Sequence, residues 1–105
     1  MAKPTPRVLE VIGTRYITPN MYRVTLGGAG MVDFPIDQES AYIKLMFPQD
    51  ADSRPLMRTY TVSVQRDDAI DVDFALHETE GPASAWARNA QVGDQILIGG
   101  PGPKK

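Results

Sequence analysis

The sequence predicts an all-β fold: a six-stranded antiparallel barrel with one short helix before the last strand. Three observations lead there. Six short segments alternate or concentrate β-branched and aromatic residues. Glycine, proline or paired aspartates separate them. A single alanine-rich stretch reads as a helix. Closing so many short strands into a barrel removes exposed edges, and 105 residues fit one domain with a modest core.

Taken in order, Met1 to Pro6 carries two prolines and is a loose lead-in. Arg7 to Ile17 reads as a strand, with Val8, Val11, Ile12 and Tyr16 as bulky residues and Gly13 as a candidate bulge. Thr18-Pro19-Asn20 is a turn. Met21 to Leu26 alternates, Tyr22, Val24 and Leu26 to one face, Arg23 and Thr25 to the other. Gly27-Gly28-Ala29-Gly30 breaks that strand, and the connection to about Glu39 offers Phe34 and Ile36 as plugs for the core. Those glycines suggest a phosphate cradle, but no Lys-Ser/Thr pair or helix follows, which argues against a P-loop.

Ser40 to Phe47 is a third strand, with Ile43, Leu45 and Phe47 on one face. Pro48 to Pro55 is a polar loop. Its Asp50 and Asp52 lack the glycine and closing glutamate of a calcium loop, so solvated carboxylates are the simpler reading. Met57 to Gln65 is the fourth strand, and Asp67-Asp68 a tight turn. Ala69 to His77 has the cleanest alternation: Ile70, Val72, Phe74 and Leu76 face one side, Asp71, Asp73, Ala75 and His77 the other. Pro82 to Ala90 is the helix, with proline in its first turn and Trp86 and Ala90 on one face. Gly93-Asp94 turns into the last strand, Gln95 to Ile98.

Composition narrows the function classes. The formal charge of -2 argues against a nucleic-acid partner. With no cysteine there is no disulfide framework, thiolate metal site or cysteine nucleophile. No apolar run approaches the ~18 residues of a membrane helix, and no apolar core of a signal peptide follows the first residues. The expectation is a cytoplasmic protein without membrane insertion.

Two stretches carry candidate chemistry. In Arg58-Thr59-Tyr60-Thr61, side chains two apart share a strand face, so Arg58 and Tyr60 point one way and Thr59 and Thr61 the other. A guanidinium beside a phenol suits a ligand with phosphate and a flat ring; a solvated strand-edge arginine is the plain alternative. Val62 and Val64 fall on the face of Tyr60, so either a bulge intervenes or Tyr60 is buried. In His77-Glu78-Thr79-Glu80-Gly81-Pro82-Ala83-Ser84, a glycine opens a helix whose first-turn N–H groups and dipole form an anion site. The alternative is a simple helix start with Ser84 capping locally.

Both stretches, with Asp73-Phe74-Ala75-Leu76-His77, Gly93-Asp94, Gly100-Pro101-Gly102, Ile17-Thr18-Pro19-Asn20-Met21, Arg23-Val24-Thr25-Leu26 and Lys44-Leu45-Met46-Phe47-Pro48, closely resemble the siderophore-interacting protein family. These are ferric-siderophore reductases of the ferredoxin-reductase-like superfamily. The resemblance implies Greek-key connections and an FAD cofactor. It implies that Arg58 pairs with the FAD pyrophosphate, that Tyr60 packs on the isoalloxazine–ribityl region, and that Thr59 and Thr61 complete this cofactor-binding strand. Thr61 would bond near the reactive flavin edge, by its backbone N–H if its side chain points inward. Gly81, Ala83 and Ser84 would offer N–H groups and a hydroxyl to the pyrophosphate, and His77 would line the pocket. Where the family often carries an arginine just beyond, this chain has Ser63.

The resemblance also implies an FAD-binding barrel over residues 1–98, with residues 99–105 a linker to an NAD(P)H or electron-donor domain lying outside this sequence. NAD(P)H or ferredoxin would supply electrons and a ferric siderophore would receive them. The alternative is a non-catalytic small β-barrel binding or interaction module.

Overall fold

Alternating side chains build the inside of a closed barrel. The computed structural model describes residues 6–35, 37–47, 56–76 and 81–101. Ile36, Asp50, Asp52 and His77 lie outside them, as do the lead-in before Pro6, the loop at 48–55 and the chain from 102 onward. The strands are β1 (Arg7–Thr18), β2 (Met21–Gly27), β3 (Tyr42–Phe47), β4 (Leu56–Arg66), β5 (Ala69–Ala75) and β6 (Gln95–Gly99), with helix α1 (Pro82–Asn89) between β5 and β6. They close in the order β1-β2-β5-β4-β3-β6, every neighbouring pair antiparallel. Because β2 and β3 are consecutive in sequence but not in the sheet, the chain makes a Greek-key crossing there.

The predicted inner faces hold. Val24 and Leu26, Ile43 and Leu45, and Ile70, Val72 and Phe74 are all fully buried. β1 takes its extra residue between Val11 and Gly13, beside the glycine the sequence marked. β3 starts at Tyr42 rather than Ser40, and β5 ends at Ala75. Leu76, half-buried, lies past the end of β5, and its N–H donates to the Asn20 carbonyl at 2.8 Å. β6 includes Gly99, which pairs with Lys44.

The glycine-rich connection is a packing device. A 3-10 turn at Ala29–Met31 folds against β1 and buries Met31 and Phe34. A Cβ on Gly30 would stand 1.8 Å from the Val8 carbonyl oxygen, so no other residue fits. The Arg7 guanidinium lies 5.1 Å from the Phe34 ring centroid and donates to the Gly30 carbonyl at 3.0 Å. One end of the barrel is thereby shut.

The outer face of β5 departs from expectation. Alternation places Asp71 in solvent, yet it is only 3% exposed. Arg66 donates to both its oxygens at 2.8 and 3.2 Å, and the Thr25 hydroxyl donates at 2.6 Å. Arg23 grips Asp73 with two bonds of 2.7 and 3.0 Å and stands 3.5 Å from Asp71. Burial alone would raise the Asp71 carboxyl. Hydrogen bonds from Arg66 and Thr25 and the charges of Arg66 and Arg23 outweigh it, holding Asp71 below the usual carboxylate range.

Asp71→Ala should therefore cost about 3 kcal/mol, as expected for removing one partner of a buried pair. Arg66→Ala should cost less than that, because the Thr25 hydroxyl and Arg23 at 3.5 Å still hold the Asp71 carboxylate. Urea denaturation midpoints check both. The folded-state pKa of Asp71 is depressed, so its stabilisation is present above the unfolded value near ~4 and is lost as pH falls through the lower folded value. The stability gap between wild type and Asp71→Asn should accordingly be flat at neutral pH and shrink only in acid.

Candidate functional site

The candidate residues of β4 lie toward the Leu56 end of that strand, where it pairs with β3 and with no residue of β5. The Val62 N–H donates to the Ala41 carbonyl and its carbonyl accepts from the Ser40 N–H, both at 2.9 Å, so its backbone faces β3. By alternation, so do the backbones of Tyr60 and Arg58, which register with Ile43 and Leu45. These side chains share the inner face. Tyr60 is half-buried, its ring centroid 4.6 Å from that of Phe74 at a 38° tilt. Arg58 is exposed beyond it and donates to the Met57 carbonyl at 2.9 Å. Among the described residues no carboxylate stands within ion-pair distance of Arg58. Thr59 and Thr61 point outward and are exposed, registered with Lys44 and Tyr42.

Helix α1 lies across the same end. Gly81 precedes it in extended conformation without a side-chain cap, and Pro82 occupies the first turn. The helix therefore begins with N–H groups that no side chain caps. The Ser84 hydroxyl does not serve them. Ser84 is buried and donates inward to the Ala75 carbonyl at 3.1 Å. Phe74 joins the two sequence stretches, with the Tyr60 ring 4.6 Å from it on one side and the Trp86 ring of α1 6.0 Å from it on the other. Trp86 packs at 6.0 Å from both Phe47 and Phe74, giving this end an aromatic floor. Gly81 and Ala83 sit at the helix start, exposed and buried respectively.

The third component was hidden in the sequence. β4 pairs with β5 only through Val62–Val72, Val64–Asp71, Gln65–Ile70 and Arg66–Ala69. Toward Leu56 the ladder stops, so the N–H groups of Thr59 and Thr61, which face the β5 side, are matched with no residue of β5. The facing of Val62 and Val64 was the signal. Both alternatives hold: a bulge at Ser63 separates the valines, and Tyr60 is half-buried on the face of Val62. Thr61 points its side chain outward rather than inward, and its N–H, by alternation with Val62, faces the β5 side.

A guanidinium with no described carboxylate partner, a helix start without a side-chain cap, strand N–H groups matched with no residue of β5 and a phenol ring fit an elongated anionic ligand with a flat heterocycle. Among the described residues no group of three carboxylate, histidine or cysteine side chains is placed to hold a metal ion.

Comparison with known proteins bears on this arrangement. Residues 10–53 and 49–105 match the family described as the siderophore-interacting FAD-binding domain. The chain is 34% identical over 116 aligned positions to the ferric vibriobactin reductase ViuB of Vibrio cholerae, covering 92% of this chain and 43% of that protein. The crystal structure of the siderophore-interacting protein SipS from Aeromonas hydrophila superposes with a TM-score of 0.81 at 36% identity, covering 93% and 43% of the two chains. A ferredoxin-NADP+ reductase from Plasmodium falciparum shares the fold, with a TM-score of 0.72 at 18% identity over 93% of this chain and 40% of that one. The chain thus spans less than half the length of these relatives.

Burial pushes the Tyr60 phenol above its ordinary range, opposed by Ser84 and by the positive charge of Arg58. In an absorbance titration of tyrosinate, Tyr60→Phe should remove a component ionising above the usual value near ~10. Because the unfolded chain ionises first, this residue's contribution to stability should fall as pH rises past that value. A missing component at or below it would contradict the burial described.

Proposed function

The chain belongs to the siderophore-interacting FAD-binding domain family, and from that premise we propose that it is the FAD-binding half of a ferric-siderophore reductase. One observation carries the reading. The strand with Arg58 and Tyr60 and the uncapped start of α1 converge at one barrel end, joined by the packing of the Tyr60 and Trp86 rings on Phe74.

The residues present fit FAD. Arg58, whose positive charge no described carboxylate balances, would pair with the pyrophosphate. The backbone N–H groups of Ala83 and Ser84, with Gly81 allowing close approach, meet the same phosphates from the helix start. Tyr60 would lay its ring against the isoalloxazine–ribityl region, held in place by its packing on Phe74. Thr61 offers its N–H to the flavin edge, and Thr59 offers the next N–H along. His77, by family likeness, lines the pocket. Ser84 gives its N–H but not its hydroxyl, which is committed to Ala75.

Bound FAD would supply the electron-carrying chemistry between a donor and a ferric siderophore, whose iron would leave as ferrous ion. The donor is NAD(P)H or a ferredoxin, served by a further domain reached through residues 99–105, and the work is cytoplasmic. The role of this chain is to hold the ring system, exclude water from one face of it and neutralise the phosphates.

Titrating the purified chain with FAD should quench flavin fluorescence saturably. Arg58→Ala should weaken binding by about 1–3 kcal/mol, the range for a charged hydrogen bond. A wild-type chain that leaves flavin emission unchanged at excess protein would remove the reading.

A further inference from the structure

We infer that Ser63, as the extra residue of a β-bulge, is the device that holds the FAD slot open by turning β4 off β5. The inference rests on the cofactor reading above and adds what creates the slot.

Val62 registers with Val72 and Val64 with Asp71, so two steps along β4 match one along β5. Bulges bend the strand that carries them and end pairing. On one side of Ser63 the strands are pinned by Val64–Asp71, Gln65–Ile70 and Arg66–Ala69, and by the two bonds from Arg66 to Asp71. On the other side one pair, Val62–Val72, follows the bulge, and from Thr61 back to Leu56 β4 has β3 as its ladder partner and none on β5. The Tyr60 and Phe74 rings still pack at 4.6 Å, so the strands remain neighbours through side chains while their backbones are unpaired.

The bulge is not needed for the core. Val62 and Val72 both face in, and Val64 stands opposite the outward Asp71. With Ser63 removed, Val62 and Val64 become consecutive and keep those facings. A regular ladder would then run on through Thr61–Asp73, Tyr60–Phe74 and Thr59–Ala75, consuming the N–H groups that the slot presents. What the extra residue changes is pairing.

The test compares wild type, a deletion of Ser63 and Ser63→Ala by amide hydrogen exchange without ligand and by FAD titration. In wild type the Thr59 and Thr61 amides should exchange fast while those of Tyr60 and Val62, bonded to β3, are protected. The deletion should protect Thr59 and Thr61 and weaken FAD at least about tenfold, the worth of one to two hydrogen bonds. Ser63→Ala, which keeps the residue count, should match wild type in both. Protected Thr59 and Thr61 amides in ligand-free wild type, or a deletion that binds FAD as tightly as wild type, would overturn the inference. Should the deletion variant fail to fold, the wild-type exchange pattern decides alone. A switch in exchange without FAD uptake by any variant would keep the fork and discard the cofactor.

Discussion

A closed sheet satisfies its backbone hydrogen-bonding groups everywhere except where two strands part, and burying such groups without partners costs free energy. In this barrel the parting falls between β4 and β5, beyond Val62. The rest of the structure is arranged around it. β3 keeps β4 in the wall from Leu56 to Thr61, while α1 and the Phe47, Phe74 and Trp86 rings fill the end beside the parting. A ligand that presents hydrogen-bond acceptors to the β4 edge completes the ladder in place of a strand.

Charge is distributed in step with this division. Where β4 and β5 are zipped, Arg66 is spent on Asp71, and Arg23 on Asp73 and Asp71. Where they part, Arg58 meets no described carboxylate. Arg23 and Arg66 hold the scaffold, and Arg58 takes no part in that network. The two ends of the barrel differ in the same way. Arg7, Gly30 and Phe34 lock one end by close backbone approach and a cation over a ring. The other is floored with aromatic side chains that leave Tyr60 half exposed.

Much of this was legible in the sequence because it depends on local period. The alternation in β2, β3 and β5 named the inner faces correctly, and Pro82 with its run of alanines marked α1 to within a residue. Arg58, Tyr60 and Ser84 stand out in the sequence on residue chemistry together with family likeness, and the fold brings their two segments to one barrel end. What escaped depends on partners distant in the chain. Asp71 and Asp73 read as a solvated face until Arg23 and Arg66 arrive from two other strands. Ser84 reads as a first-turn cap, and only the fold brings the Ala75 carbonyl close enough to claim its hydroxyl. The glycines from Gly27 to Gly30 invite a ligand-binding reading, whereas the Val8 carbonyl is what excludes a side chain at Gly30. The Ser63 bulge left a trace in the parity of Val62 and Val64, but its consequence for β5 has no local signature.

Trp86 has a practical consequence. It is the sole tryptophan of the sequence, it sits on α1, and it packs half-buried against Phe47 and Phe74 at the barrel end that carries Tyr60. Intrinsic emission excited at the red edge of protein absorption therefore originates from one ring in one place. The chain carries its own optical reporter, blind to the end sealed by Arg7 and Phe34 and responsive to any shift of α1 against β5. Changes in its wavelength or lifetime register events at the slot without a label.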